Sequence, residues 1–256
     1  MAEGFRDKRY IVTGGASGIG LATAASLSAR GAQVEIWDAD AVALTDAAEK
    51  LSATPVCIDV CDSSGLDDAF ARAAADRIDG VIHCAAILRT GMFEGMPANE
   101  HLALIAVNLG GTALLAQAAL PYLRKSRGSL ILLGSISAFI ASPEFATYAA
   151  TKAGIYSLAQ SLQIELSGSG VHIGIANPLF VNSPMLTERV RSTGSFRAKS
   201  PFLRVYTPEQ VAQSILRGIE RREFMIWTGA RPRLIYAISR YGAWFAQRLV
   251  RRTWAD

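Results

Sequence analysis

Apolar segments and helical patterns alternate along the whole chain. Short apolar runs predict strands at residues 8–13, 33–38, 56–58, 80–84, 129–135, 171–176 and 224–227. Helical spacing of apolar residues predicts helices at residues 19–30, 41–51, 65–75, 99–125 and 148–166. A further helix is predicted to open at Thr207, with that residue as N-cap and Pro208 in the first position. This alternation predicts an α/β fold: a doubly wound parallel sheet of about seven strands, with helices on both faces.

Domain organisation follows from the same pattern and from the charge. No internal repeat or low-complexity linker divides residues 1–230, so they are predicted to form one domain. The net charge of +4 is uneven, because residues 1–185 carry −5 and residues 186–256 carry +9. The basic excess therefore lies in the last quarter of the chain, where it would face anionic lipid, an acidic substrate or solvent.

Residues 231–256 form a basic amphipathic tail. Its apolar residues recur at helical spacing: Leu234, Ile235, Ile238, Tyr241, Trp244, Phe245 and Leu249. Arginines surround them: Arg233, Arg240, Arg248, Arg251 and Arg252. Such a helix is suited to peripheral contact with an anionic membrane surface, and equally to packing on its own domain or on a partner subunit.

Several classes of protein are disfavoured by composition. The odd set of Cys57, Cys61 and Cys84 contains no CxxC pair, which indicates reduced thiols and a cytoplasmic protein. The three histidines lack metal-ligand spacing, so no metal site is expected. No apolar leader is visible and no nucleic-acid recognition motif is present. The uncharged stretch 102–123 is interpreted as a helix buried in a core or subunit interface, because polar residues and Pro121 interrupt it.

A glycine-rich turn follows the first strand and opens the first helix. Backbone amides at such a helix start bind a pyrophosphate, which gives the candidate residues Gly14, Ser17, Gly18, Ile19 and Gly20. Asp38 ends the second strand, where its carboxylate would accept hydrogen bonds from the adenosine ribose and repel a 2′-phosphate, favouring NAD. The alternative is that Asp38 caps the next helix. Asp59 and Val60, after the third strand, are candidates for the adenine.

A second group of residues suits proton transfer. Tyr148 and Lys152 are four apart on one helix face, where the ammonium would lower the phenol pKa from about 10 and make it a general acid or base. Ser135, thirteen residues earlier, would hold a substrate oxygen, with Ser137 and then Ser142 as alternatives. Asn108 would hold a water linking Lys152 to solvent, or be a satisfied buried amide at a subunit contact.

In combination these motifs resemble the short-chain dehydrogenase/reductase family of the single-domain, Tyr-x-x-x-Lys type, over about residues 5–230. The resemblance implies a Rossmann-type sheet and a role for each catalytic residue. Tyr148 would exchange the alcohol proton while hydride passes to or from NAD, and Lys152 would bind the nicotinamide ribose. Ser135 would position the substrate oxygen and Asn108 would complete a proton relay. The family is usually dimeric or tetrameric, through helices that correspond to 99–125 and 148–166.

The resemblance also assigns residues around the rest of the cofactor and exposes two departures. Val181 and Ser183 would contact the nicotinamide carboxamide, with Pro178 beside them. His83-Cys84-Ala85-Ala86 stands where the family usually has Asn-Asn-Ala-Gly, so Ala85 and Ala86 would keep the backbone approach to the adenosine ribose. Leu179 replaces a customary glycine, and with Phe180 it would reshape the substrate end of the pocket.

The sequence thus predicts an NAD-dependent oxidoreductase that interconverts an apolar secondary alcohol and a ketone, as a homodimer or homotetramer. Residues 186–205, which carry five cationic side chains and one acidic one, lie where the family has its substrate lid. One alternative is a 3-ketoacyl thioester reductase, with the basic lid holding a phosphopantetheine carrier. An alternative of another class is a non-catalytic dinucleotide sensor or scaffold.

Overall fold

The computed structural model describes residues 4–74, 77–140, 142–186, 205–242 and 244. A seven-stranded sheet, parallel throughout, forms the centre of the fold in the order β3-β2-β1-β4-β5-β6-β9. Its strands are β1 Arg9–Thr13, β2 Gln33–Asp38, β3 Thr54–Cys57, β4 Gly80–His83, β5 Ser129–Leu133, β6 His172–Ala176 and β9 Met225–Ile226. The doubly wound α/β fold that the sequence predicts is confirmed.

Besides a helical turn that begins at Pro184, eight α-helices surround this sheet in the described part of the chain. They are α1 Gly18–Ser28, α2 Ala41–Leu51, α3 Ser63–Ala73, α4 Ala98–Leu104, α5 Gly111–Ser126, α6 Ala146–Glu165, α7 Pro208–Arg221 and α8 Ala230–Tyr241. Successive strand residues point to opposite faces, so Val12 and Ile82 pack under α1, α2 and α7, whereas Ile11 and Val81 pack under α3, α5 and α6. Two apolar cores result, one on each side of the sheet.

The strand order places a cleft at one edge of the sheet. From β1 the chain winds one way through β2 and β3, and then the other way through β4, β5 and β6. The loops that follow β1 and β4 therefore diverge at the carboxyl ends of neighbouring strands. Open α/β sheets bind their ligands at such a reversal point.

A π-helical turn, Ile105–Gly110, joins α4 to α5 and makes one continuous helix, Ala98–Ser126. Within the described residues it is the one helix long and apolar enough to cross a membrane by length and composition, and 44% of its most apolar window is buried. Its inner face packs through Leu104, Leu115 and Leu123 on the sheet side. The helix that the sequence predicts at residues 99–125 is therefore present, but the sequence does not predict its π-turn.

Element ends coincide with the predicted ones or differ from them by one or two residues. β5 stops at Leu133 rather than at residue 135, which frees Ser135 from the sheet. The cap of α7 is confirmed, because the Thr207 hydroxyl accepts the Gln210 N–H and Pro208 follows it. A small second sheet, which the sequence does not predict, pairs β7 Phe180–Val181 with β8 Val205–Tyr206. Consequently the last residue of the predicted lid belongs to a strand, and residues 187–204 lie outside the described residues.

The predicted tail begins as α8, which packs on the body of the domain. The Tyr236 ring lies 4.7 Å from that of Phe139, edge to face, and 5.3 Å from that of Trp227. Residues 245–256, with Phe245, Leu249 and the last arginines, lie outside the described residues. The division at residue 230 stays a prediction.

Candidate active site

A cleft of about 400 Å³ opens at the carboxyl ends of β1, β4 and β5, a size usual for small-molecule sites. Apart from the alternative Ser142, it collects all but one of the residues that the sequence offers for the cofactor, the substrate and proton transfer. Those on its wall are Gly14, Ser17, Gly18, Ile19, Gly20, Asp38, Asp59, Val60, Ala85, Ala86, Ser135, Ser137, Tyr148, Lys152, Pro178, Leu179, Phe180, Val181 and Ser183. The exception is Asn108, which lies behind the wall.

The turn after β1 is shaped by two glycines. Gly14 has a φ of +63°, and a Cβ there would lie 2.7 Å from the backbone nitrogen of Ala85. A Cβ on Gly20 would lie 2.0 Å from the carbonyl oxygen of Gly14. Larger residues would force α1 away from the turn. Because Ser17 is the N-cap of α1, the first free amides of the helix face the cleft, where they suit an anionic phosphate.

Asp38 stands at the end of β2, and its carboxylate is tied to this turn. Its Oδ2 accepts the Ala16 N–H at 3.1 Å. The N-cap of α2 is Asp40, whose side chain accepts the amides of Val42 and Ala43. The alternative that Asp38 caps this helix is therefore wrong. Its carboxylate is instead part of the cleft wall.

Asp59 and Val60 line the cleft after β3. The Asp59 Oδ1 accepts the Cys61 N–H at 2.9 Å, which closes a tight turn. Val60 is buried against the helix that carries the π-turn, since a Cβ on Gly111 would lie 2.7 Å from Val60 Cγ2. The position suits packing of a flat ring on the valine, with the carboxylate at its rim.

Three polar side chains meet at the end of the cleft after β5: Ser135, Tyr148 and Lys152. Ser135 is the N-cap of a 3-10 helix, Ile136–Ala138, and its hydroxyl hydrogen-bonds with that of Tyr148. Tyr148 and Lys152 lie one turn apart on α6, with Lys152 Nζ 5.6 Å from the centre of the tyrosine ring. The ammonium donates to the Leu133 carbonyl at 2.8 Å. A substrate oxygen beside Ser135 would thus meet a phenol hydroxyl.

The ionisation of this group differs from the sequence-based expectation. Burial raises the pKa of Tyr148 to about 12, although the Ser135 hydrogen bond opposes this. Burial also lowers the pKa of Lys152 to about 8. The expected lowering of the phenol pKa is therefore wrong for this arrangement, because desolvation outweighs an ammonium that bonds a carbonyl instead of the phenol oxygen.

Asn108 lies in the π-turn and is completely buried. Its Oδ1 accepts the Ile87 N–H at 2.8 Å, and its Nδ2 donates to the Ile87 carbonyl at 3.0 Å and to the Thr151 hydroxyl at 3.4 Å. The side chain thus clamps the loop after β4 and touches the helix of the catalytic tyrosine. Its part in a proton relay stays a prediction.

Sequence reasoning missed the apolar part of the cleft. Beyond Leu179 and Phe180, the wall includes Ile87, Leu88, Val107, Ile136, Phe145, Met185 and Leu186. Two of these had a local signal: Phe145 precedes Tyr148 by one helical turn, with ring centres 6.2 Å apart, and Met185 closes the Ser183-Pro184-Met185 motif. Among the described wall residues, the charged ones are Asp38, Asp59 and Lys152. The end beside Tyr148 is therefore apolar apart from the catalytic group.

The other sequence-based expectations are located as follows. Ser142 does not line the cleft. Cys57 and Cys61 are exposed and Cys84 is buried, all three as free thiols. In the part of the chain that the structure describes, no group of three or more His, Cys, Asp and Glu side chains is arranged to hold a metal ion.

Comparisons with known proteins point to one family. A family model described as short chain dehydrogenase matches residues 8–193. The chain is 32% identical over 220 residues to a 3-oxoacyl-[acyl-carrier-protein] reductase of Thermotoga maritima, which covers 82% of this chain and 89% of the relative. It is 31% identical over 211 residues to a 2-dehydro-3-deoxy-L-rhamnonate dehydrogenase (NAD(+)) of a Sphingomonas species, which covers 80% and 85%. A solved short chain dehydrogenase/reductase family protein superposes with a TM-score of 0.79 at 26% identity, covering 91% of this chain and 99% of that one.

Proposed function

The chain belongs to the short-chain dehydrogenase/reductase family, and we propose that it is an NAD-dependent oxidoreductase of apolar secondary alcohols and ketones. One observation supports this above the others. Ser135, Tyr148 and Lys152 converge at an apolar end of the cleft, while Asp38 and the helix start of α1 form its opposite end. The cleft therefore has a place for an alcohol at one end and for a dinucleotide along the rest.

Three residues have separate roles in such a reaction. NAD, when bound, would supply the hydride acceptor. The Ser135 hydroxyl orients the substrate oxygen beside Tyr148, which takes the alcohol proton in oxidation and returns it in reduction. Lys152 binds the nicotinamide ribose and favours the phenolate when its ammonium faces the tyrosine. The apolar wall excludes water around the reacting carbon.

The preference for NAD rests on the adenosine end of the cleft. The Asp38 carboxylate would repel a 2′-phosphate, and the neighbouring Ala39 carries no cation. A cation at Gly15 is excluded sterically, because a Cβ there would lie 2.7 Å from Ile36 Cβ and 2.9 Å from the Val12 carbonyl oxygen. The similarity to a dehydrogenase named for NAD(+) agrees with this preference.

Turnover of a panel of apolar secondary alcohols with NAD tests the chemistry. Tyr148→Phe retains the ring but removes the proton carrier, so we expect a loss of at least about a hundredfold in kcat while NADH binding persists. Phe145→Leu, which alters the neighbouring apolar wall, is the matched control and should mainly change KM. Equal turnover by Tyr148→Phe and the wild type would refute the assignment.

Direct titration with NADH and NADPH tests the cofactor separately. We expect tighter binding of NADH by the wild type. The double change Asp38→Ser and Ala39→Arg should reverse the order, because it replaces a repulsive charge with an attractive one. Preference of the wild type for NADPH would contradict the role given to Asp38.

Two alternatives differ in measurable ways. A 3-ketoacyl thioester reductase is favoured by the similarity to the Thermotoga maritima protein, and it would reduce an acetoacetyl thioester faster than any simple ketone in the panel. A non-catalytic dinucleotide sensor would bind NADH without turnover. The joint presence of Asn108, Ser135, Tyr148 and Lys152 favours an enzyme over a sensor.

Members of this family are commonly oligomeric, and a homodimer or homotetramer is part of the proposal. Leu102, Ile105 and Ile164 expose apolar side chains on the long helix and on α6, the helices that the resemblance assigns to subunit contacts. Sedimentation equilibrium of the wild type and of a Leu102→Lys, Ile164→Lys double variant tests this. A monomeric wild type would refute it.

Peripheral binding to an anionic membrane completes the proposal and concerns α8. Leu234, Ile238 and Tyr241 expose 61%, 38% and 89% of their surface along one side of this helix. Arg231, Arg233 and Arg240 are exposed on the same helix, next to a C-terminal quarter with a charge of +9. Apolar side chains flanked by arginines complement an anionic lipid surface. We place this surface on the cytoplasmic side, since Cys57 and Cys61 are exposed free thiols.

Co-sedimentation with vesicles of phosphatidylglycerol and phosphatidylcholine tests the membrane contact. We expect the wild type to bind vesicles that contain phosphatidylglycerol, and Leu234→Ser with Ile238→Ser to abolish binding without loss of turnover. Val42→Ser, which changes a still more exposed apolar residue on α2, is the matched control. A variant that dissociates the oligomer but still binds vesicles would assign this face to a partner subunit.

A further inference from the structure

His83 ends β4 and is buried between two threonine hydroxyls, with 2% of its surface exposed. Its Nδ1 lies 2.7 Å from Thr13 Oγ1, and its Nε2 lies 3.0 Å from Thr112 Oγ1. Thr13 ends β1 immediately before the glycine-rich turn, and Thr112 opens α5 beyond the π-turn. The imidazole therefore bridges β1, which leads into the glycine-rich turn on the cleft wall, and α5, which follows the π-turn that places Val107 on that wall.

The direction of each hydrogen bond follows from which of the two groups has a hydrogen left to donate. Thr112 donates its one hydroxyl hydrogen to the Asn108 carbonyl, so towards His83 it must accept, and Nε2 must carry hydrogen. Burial, reinforced by the positive charge of Lys152, lowers the pKa of His83 to about 3, so the ring is neutral. Nδ1 is then an acceptor, and the Thr13 hydroxyl donates to it while accepting the Ala85 N–H at 3.3 Å.

These assignments give one continuous chain of hydrogen bonds: Ala85 N–H to Thr13, Thr13 to His83, His83 to Thr112, and Thr112 to the Asn108 carbonyl. Its first member lines the cleft beside the phosphate-binding turn. Its last member is the residue whose side chain clamps Ile87 and touches Thr151. Each interior member uses its donor and its acceptor once in the chain.

We propose that His83, as the neutral Nε2–H tautomer, is a positioning residue that couples the phosphate-binding turn to the π-turn carrying Asn108. Loss of the Thr13 contact would leave a buried hydroxyl hydrogen without an acceptor, and loss of the Thr112 contact would leave the buried Nε2–H without one. Either loss would free the phosphate-binding turn to move relative to the π-turn. The two contacts have different consequences. The Thr13 contact acts on the side that binds the dinucleotide, and the Thr112 contact acts on the side that carries Asn108.

The tautomer is measurable on the unmodified protein. Nitrogen-15 NMR of the three histidine rings, with the His83 signals identified by their absence from His83→Asn, should show Nε2 protonated and Nδ1 unprotonated near neutral pH. A protonated Nδ1 or a doubly protonated ring would overturn the proposal. This readout needs no substrate, so it decides the point even if the proposed enzymatic function fails.

A pair of substitutions at Thr112 tests the coupling itself, and this part rests on the proposed function. Thr112→Val keeps the shape and removes the hydroxyl, so we expect kcat to fall about tenfold with KM for NAD little changed. Thr112→Ser restores the hydroxyl and should restore kcat. Thr13→Val should instead raise KM for NAD. The control is Ser214→Ala, which removes a buried hydroxyl that bonds the Gln210 carbonyl on α7, away from the cleft.

The pattern of effects distinguishes positioning from simple destabilisation. Equal losses of kcat in Thr112→Val and Ser214→Ala would overturn the proposal, as would failure of Thr112→Ser to rescue. If the wild type shows no oxidoreductase turnover, the proposed function fails, and the tautomer and the NADH affinity of Thr13→Val still test the chain of hydrogen bonds.

Discussion

At the scale of single residues, burial controls the ionisation of the proposed catalytic group. Lys152 is buried, whereas Tyr148 lines the cleft and is half-buried. Burial favours the neutral form of both side chains, which raises the pKa of Tyr148 and lowers that of Lys152. The Ser135 hydroxyl opposes the shift at the phenol. In the proposed reaction, Ser135 would therefore affect both the position of the substrate oxygen and the basicity of the tyrosine.

We expect Ser135→Ala to shift the pH profile of alcohol oxidation towards higher pH. The serine hydrogen bond lowers the pKa of Tyr148, so its removal raises that pKa, and the phenolate forms later. The measurement is kcat/KM for oxidation across the alkaline range, with Ser142→Ala as a nearby control outside the cleft. An unchanged midpoint in Ser135→Ala would contradict the coupling.

His83 gives a second residue-scale prediction, in stability. Its folded pKa of about 3 lies below the ordinary 6.5, so the unfolded chain binds one more proton between these values. Stability contributed by the neutral ring is present above about pH 6.5 and is lost as the pH falls towards 3, by up to about 1.4 kcal/mol per pH unit. In urea unfolding from pH 4 to 7, the free energy of unfolding of His83→Gln should rise less steeply with pH than that of the wild type. Parallel curves would contradict a buried neutral imidazole.

The residues of the site were largely predictable, but their partners were not. Tyr148, Lys152 and Ser135 have fixed spacings along the chain, and Asp38 ends a strand that is readable as such. The clamp of Asn108 on Ile87 joins residues that meet only through the fold. The raised pKa of Tyr148 depends on how completely a cleft excludes water, which spacing cannot express.

At the scale of elements, the first helix and its turn depend on a close backbone approach. We expect Gly20→Ala to weaken NADH binding and to lower the free energy of unfolding by about 1–3 kcal/mol, because its Cβ would overlap the Gly14 carbonyl oxygen and displace α1. Gly91→Ala is the control, since a Cβ there meets nothing within 4 Å. Calorimetry and NADH titration measure both effects, and equal behaviour of the two variants would refute the packing argument.

The sequence does not predict elements whose pattern of apolar residues is too short or does not change. The π-turn at Ile105–Gly110 contains no proline or charge, and one additional residue in a turn barely alters an apolar periodicity. β7 and β8 are two residues each, too short to show alternation. The seven main strands were identified because short apolar runs bounded by turn residues and alternating with helical patterns leave few other structures.

At the scale of the whole molecule, contacts between residues far apart in sequence cover one face of the sheet. Arg30, in the turn that follows α1, contacts Glu220 at 2.9 Å and Gln213 at 2.8 Å on α7, and its guanidinium lies 5.3 Å from the centre of the Phe5 ring. This cluster links the first helix to a helix that is encoded late in the chain. It helps to cover the core beneath β1.

We expect Arg30→Met to lower the free energy of unfolding by about 1 kcal/mol, because it removes a partly exposed ion pair and a cation–π contact together. Arg221→Met is the matched control, since its pair with Glu223 spans 3.7 Å and its side chain is 68% exposed. Urea denaturation measures both. A loss in Arg221→Met as large as that in Arg30→Met would contradict a special role for the α1–α7 contact.

The continuous helix Ala98–Ser126 has a consequence for synthesis of the protein in the cell. It leaves the ribosome before β5 and β6, the strands that complete the sheet beside it. Translation at about 5–20 residues per second leaves this apolar segment uncovered for several seconds. We expect nascent chains from which residue 126 but not β5 has left the ribosome to bind chaperones that recognise apolar segments, and chains from which residue 176 has also left it to be released. This helix is a core element of the folded enzyme. During synthesis it is thus, for a short time, an exposed apolar segment that chaperones must cover.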